Sequence, residues 1–235
     1  MISNRCLLQH PRIHRLDVGE VALPEWHPRA SDKVARIFAY AIEHPDGIFL
    51  FDCGCADDNP VINDLYRPQI RPLTSLLAEV RLSIADVRAV VLSHLHFDHC
   101  GQLRLFRGSP TYVQRAEVIA AEKPGYTVPD WADIPKNDAR IVDGDEWIAD
   151  GLELVSTPGH TPGHQSLIVR GGGQTTIVGG QCSYCAKAFF SSVVEPDNLF
   201  EPRSASDAAQ SIEKLRSYDP DRILLAHDEV ETSQG

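Results

Sequence analysis

An α/β sandwich, two packed sheets with helices outside, is the fold class that three observations predict. Short apolar strands alternate with helical stretches in two passes along the 235 residues. No low-complexity linker divides the passes, so residues 1–235 read as a single domain. The strands also end repeatedly in residues able to bind metal: His94, His96, Asp98 and His99 after one, His160 after a second, His227 after a third. Elements in such alternation bury their apolar faces in layers around a shared core.

The elements follow in order. Residues 1–33 hold Pro11, Pro24 and Pro28 and read as an irregular segment, with Val21 to Trp26 as an apolar loop that either packs on the body, the default, or borders a pocket. Val34 to Glu43 and Ile48 to Phe51 form a hairpin around the Pro45-Asp46-Gly47 turn, and Asp52-Cys53-Gly54 closes it. Residues 57–72 read as a loop with a short helix, and Leu73 to Val80 as a helix. The apolar run Val87 to Leu92 is a buried strand. A brief helix at Leu103 to Phe106, a strand at Thr111 to Val113 and a helix at Gln114 to Glu122 come next. Residues 124–138 carry three prolines, Tyr126 and Trp131 without a period, the pattern of a lid or binding loop. Strands at 140–142, 146–148, 152–156, 166–169 and 175–178 precede a helix that Ser206 caps and that runs to Tyr218. A final strand, Arg222 to Ala226, ends at His227-Asp228.

Composition narrows the function. A net charge of −11 argues against nucleic acid and anionic membranes as partners. No apolar stretch approaches the roughly 20 residues of a membrane span. The start, Met1 to Cys6 followed by His10, Arg12 and His14, lacks a signal core, so a cytoplasmic location is expected. Cys6, Cys53, Cys55, Cys100, Cys182 and Cys185 are then expected as reduced thiols. Cys182-x-x-Cys185 has redox or zinc spacing, but a structural zinc site needs a second pair that the chain lacks.

Chemistry concentrates in Ser93 to Gly101, where three of the ten histidines fall. Neutral imidazole offers a lone pair near pH 7. Alternating His94 and His96 can converge on one ion, leaving Asp98 and His99 for a second. Thr157-Pro158-Gly159-His160 is a turn stiffened by proline and glycine that aims His160 inward, and His164 in the same turn is expected to support the loop.

This constellation resembles the metallo-β-lactamase superfamily: His94-x-His96-x-Asp98-His99, His160 in a Thr-Pro-Gly-His turn and His227 ending a late strand. The resemblance spans residues 34–228. It implies a four-layer αβ/βα sandwich with His94, His96 and His160 on one metal and Asp98, His99 and His227 on another. Within the superfamily the chain is most similar to the N-acyl-homoserine lactone lactonases, through Leu95 and Phe97 in the motif, Ser183-Tyr184 and Ala226-His227-Asp228. That likeness implies a zinc-dependent, quorum-quenching hydrolase that opens a lactone or related ester with metal-activated hydroxide. Asp98 would orient the nucleophile or move its proton, and Tyr184 would stabilise the oxyanion. Trp26, Tyr126 and Trp131 would seat the acyl chain. A small-molecule lactone or ester and a second copy in a homodimer are the expected partners.

One position departs from the pattern. Gln181 stands where the family places a metal-bridging aspartate. Its neutral amide offers one carbonyl oxygen and no charge, so it is a weak ligand and the chain is expected to bind one or two zinc ions, the second weakly. Adjacent Cys182 is an alternative ligand. Two further readings follow: a thioester hydrolase of the same fold, and a mononuclear or non-catalytic relative.

Overall fold

Two sheets carry the chain in the computed structural model, which describes residues 11–230 and 232–233. The first pass supplies β1 (Ile13–Ala22), β2 (Val34–His44), β3 (Gly47–Phe51), β4 (Gln69–Ile70), β5 (Val87–Val91), β6 (Thr111–Gln114) and β7 (Ala139–Val142). They lie in the order β4-β1-β2-β3-β5-β6-β7. The second pass supplies β8 (Glu146–Ala149), β9 (Leu152–Ser156), β10 (Gln165–Gly171), β11 (Gln174–Gly180), β12 (Arg222–Leu225) and β13 (Thr232–Ser233), ordered β13-β12-β11-β10-β9-β8. Helices α1 (Pro60–Tyr66), α2 (Leu73–Glu79), α3 (Phe97–Cys100) and α4 (Arg115–Ala121) belong to the first pass, α5 (Ala186–Phe190) and α6 (Ala205–Arg216) to the second.

Strand alternation sets the layers. In β2, Ile37, Ala39 and Ala41 face Leu73, Leu76 and Leu77 of α2, while Phe38, Tyr40 and Ile42 face the second sheet. There they meet Leu152, Leu154, Leu167, Val169 and Val178. The outer face of the second sheet, with Val155, Ile168 and Ile177, packs on Phe189 of α5 and on Ile212 and Leu215 of α6. Each large apolar side chain so buried contributes about 1.5–3 kcal/mol. The result is the four-layer αβ/βα sandwich.

Three expectations are corrected. Residues 13–22, read as irregular, form β1, which pairs with β2. A bulge at Asp17/Gly19 breaks its alternation, and its prolines lie outside it. Trp26 is not buried in the body: it is 64% exposed and meets it edge-on at Tyr66, 6.1 Å away, at the border of a cavity, whereas Val21 of the same stretch is buried. Ser206 does not cap α6: a short turn at Pro202–Ser204 leads in, the N-cap is Ser204, and Ser206 Oγ accepts from Gln210. The expectations for residues 1–10, Cys6 included, lie outside the described residues. No helix among the described residues is long and apolar enough to cross a membrane.

Candidate metal centre

The centre forms where strands end. Parallel pairing of β3 with β5 sets Asp52 beside Ser93, the Asp52 N–H donating to Val91 O at 2.9 Å. Parallel pairing of β11 with β12 sets Gln181 beside His227, with Ala226 N–H donating to Gly180 O at 2.8 Å. The turn after β9 brings His160 in from the third side.

Two donor groups result, His94 with His96 and His160, and Asp98 with His99 and His227. In the first, His94 Nε2 lies 3.0 Å from His96 Nδ1, and His160 Nε2 lies 3.2 Å from both. The surrounding hydrogen bonds assign two tautomers. Ser93 Oγ spends its proton on Asp52 at 2.7 Å, so it accepts from His94 Nδ1–H at 3.0 Å. His160 Nδ1–H donates to Asn198 O at 2.9 Å. Both Nε2 atoms therefore carry lone pairs pointed at one another. Burial, reinforced by neighbouring imidazoles, holds His94 and His160 well below the ordinary pKa, and burial lowers His96 to about 4 despite Asp98. Lone pairs packed this closely without protons fit a cation.

The second group shows the same fit. His227 Nδ1–H donates to Arg36 O at 2.7 Å, leaving the Nε2 lone pair 3.1 Å from Gln181 Oε1. Asn198 sets that amide: its Nδ2 donates to Gln181 O at 2.9 Å, so its Oδ1 accepts from Gln181 Nε2 at 3.2 Å. Two acceptors thus face each other with no hydrogen between them. His99 Nδ1–H donates to Asp52 at 2.8 Å, and its buried Nε2 has no hydrogen-bond partner. Asp98 Oδ2 stands 3.6 Å from both His99 Nε2 and His227 Nε2. Burial would lower the His99 pKa, yet Asp98 and Asp52 outweigh it and push it up to about 9, so positive charge is favoured here. Burial would likewise raise Asp98, but His99, His227 and His96 hold it below the ordinary value.

A cavity of about 670 Å³ opens from the two groups. Val21, Leu23, Trp26, Val34, Tyr66 and Phe97 form its apolar wall. Tyr184 also lines it, 5.8 Å from the His227 ring, held by Glu195 on its N–H at 2.8 Å and by the Arg29 guanidinium 4.0 Å from its ring centre. Burial and Asp98 raise the Tyr184 pKa, so its hydroxyl keeps its proton. Tyr126 reaches the cavity, but Trp131 does not: it is buried in the outer core and donates to Asp58 at 2.8 Å. His164 supports the loop as expected, accepting from Gln181 N–H at 3.0 Å. Cys182 belongs to neither donor group; it is buried in the core behind the second sheet. Cys53, Cys55, Cys100, Cys182 and Cys185 are free thiols.

Sequence reading missed Asp52, Glu117 and Asn198. Asp52 carried a usable signal, a carboxylate ending an apolar strand. Glu117, on amphipathic α4, and Asn198, in a turn, carried none.

The metallo-beta-lactamase superfamily matches residues 33–227. An N-acyl homoserine lactonase of Bacillus sp is 31% identical over 181 residues, 71% of this chain and 67% of that protein. One from Bacillus thuringiensis is 28% identical over 244 residues, 96% and 90% of the two chains. A crystal structure of a quorum-quenching N-acyl homoserine lactone lactonase superimposes with a TM-score of 0.79 at 25% identity, covering 95% and 94%. An N-acyl homoserine lactone hydrolase solved with N-hexanoyl-L-homoserine at its catalytic metal center gives 0.78 at 24% identity, covering 95% of each chain.

Proposed function

The chain belongs to the metallo-beta-lactamase superfamily and is a metallo-hydrolase, and we propose that it opens N-acyl-homoserine lactones or closely related esters. The observation that carries this reading is the cavity: two donor groups at one end and an aromatic, apolar wall along the side. Tyr66 packs between Phe97 at 4.5 Å and Trp26 at 6.1 Å, a surface suited to an acyl chain. The cations lining the cavity are engaged. Arg29 pairs with Asp32 at 2.8 Å and Asp197 at 3.4 Å, and Arg36 with Asp17 at 2.5 Å and Glu20 at 3.4 Å. A neutral substrate therefore fits better than a thioester of an anionic carrier.

His94, His96 and His160 would hold one ion, and Asp98, His99 and His227, with the Gln181 carbonyl, a second. Zinc suits both sets of donors. When bound, such an ion supplies Lewis acidity and brings the pKa of water toward 7. Ionised Asp98 takes the proton of the attacking water as the new C–O bond forms, and returns it to the alkoxide as the lactone C–O bond breaks. The protonated Tyr184 hydroxyl donates to the oxygen that gains charge. The apolar wall fixes the acyl chain so that the carbonyl faces Asp98 and Tyr184.

Gln181 makes the two positions unequal. Adjacent dications repel, and a neutral amide offers its carbonyl dipole but no negative charge to offset that repulsion. The purified chain, loaded with zinc, is expected to open N-acyl-homoserine lactones, to lose that activity to a chelator, and to hold about one tightly bound metal. Gln181→Asp should raise the content toward about two. A metal-loaded chain that opens no lactone or ester, followed by proton release, would sink the reaction.

A further inference from the structure

Glu117 lies outside the donor groups, is 0% exposed, and takes no part in the chemistry above. Its carboxyl accepts four hydrogen bonds from three loops. Oε1 accepts from Leu95 N–H at 2.8 Å, between His94 and His96, and from the Tyr126 hydroxyl at 2.5 Å. Oε2 accepts from the Thr161 hydroxyl at 2.7 Å and Gly163 N–H at 3.2 Å, in the turn that carries His160. The Tyr126 ring lies 4.9 Å from that of His96 and lines the cavity. The approach is close: a Cβ on Gly163 would stand 2.1 Å from Glu117 N.

We propose that Glu117 is a positioning residue: it holds the His94–His96 loop and the His160 turn in the register that converges their nitrogens, and it couples the Tyr126 side of the cavity to that register. The proposal rests on the metal-binding reading above. Its chemistry is specific. Each carboxyl oxygen takes one main-chain N–H, which can only donate, and one hydroxyl, which can rotate. A glutamine must turn its NH2 toward one of the two N–H groups in either amide orientation. It therefore loses the main-chain N–H of either the loop or the turn, keeping only the rotated hydroxyl on that side, and cannot hold both N–H groups.

The test uses full-length variants stripped of metal and titrated with Zn2+ against a chromogenic chelator, with the visible spectrum of bound Co2+ as a second readout. Glu117→Gln should weaken the tightest Zn2+ site about ten- to hundredfold and alter the Co2+ bands while the circular dichroism stays native. Tyr126→Phe and Thr161→Val each remove one donor and keep the carboxyl, and each should weaken Zn2+ by about three- to tenfold. A folded Glu117→Gln with wild-type Zn2+ affinity and Co2+ spectrum overturns the proposal. If Glu117→Gln does not fold, wild-type affinity in both hydroxyl variants overturns it. Metal affinity needs no lactone turnover, so a chain that binds metal but opens no lactone sinks the proposed reaction without touching Glu117.

Discussion

Gln181 faces the second donor group with its oxygen only because Asn198 receives its NH2. Asn198 is 5% exposed, so its amide has no bulk water to turn to. Alanine at 198 removes both side-chain bonds, to Gln181 Nε2 and to Gln181 O, but keeps the main-chain carbonyl that accepts from His160. The two metal positions should then respond differently. Freed, the amide can turn its NH2 to His227, which satisfies the lone pair and opposes a cation. Asn198→Ala is expected to weaken the second metal position about tenfold and leave the first within about twofold, at a stability cost of about 1–3 kcal/mol. A two-step metal titration checks this. Equal weakening of both positions would mean that Asn198 acts through His160 or through general loosening.

Between residues and the whole lie the strand ends, and there the parallel pairs β3/β5 and β11/β12 do the positioning. Gly180, the last residue of β11, has φ +58 and lies against Ser93. A Cβ there would stand 2.6 Å from Ser93 Cβ and 3.0 Å from His164 Nε2. Ser93 in turn binds Asp52 and His94. Gly180→Ala therefore combines a left-handed backbone with a clash, and is expected to destabilise the metal-free protein by about 2–5 kcal/mol in denaturant unfolding. A loss under about 1 kcal/mol would show that the β11 end yields freely. The same strand ends explain what could be read in advance. Apolar runs followed by His, Asp, Gly and Pro mark both the layers and the donors, because a strand end is where a buried chain can turn polar groups toward one point. Glu117 is different: in Arg115-Ala116-Glu117-Val118 it reads as the wet side of a helix, and only the return of Thr161 and Gly163 makes it a buried acceptor. Strand β1 escaped reading because its bulge interrupts the two-residue period.

For the whole molecule, the buried histidines set how stability depends on pH when metal is removed. Burial lowers His94 and His160 well below 6.5, His96 to about 4 and His164 to about 3. Between pH 6.5 and 4 the unfolded chain therefore binds more protons than the folded one, and stability falls as pH falls. His96 alone accounts for on the order of 3 kcal/mol over that window. His99 has the opposite sign. Raised to about 9, it binds a proton in the folded state that the unfolded chain releases above 6.5, so its contribution is present below 6.5 and lost as pH rises through 9. Burial lowers His227 and His27 as well, so one histidine opposes six and the alkaline decline should be the shallower. The metal-free protein should melt highest near pH 6.5–7, with Tm dropping steeply toward pH 4 and gently toward pH 9. Aspartates cannot produce the upper part of the acid limb, since the ordinary Asp98 value of 3.8 lies below it and the folded value is lower still. Bound metal occupies the imidazole lone pairs and adds its binding free energy to the folded state. Zinc should therefore raise Tm at neutral pH and lose that effect as protons compete near pH 5. A metal-free chain whose Tm is flat from pH 7 to 4.5 would show that these nitrogens are not gathered in the dry, proton-free cluster on which the metal centre depends.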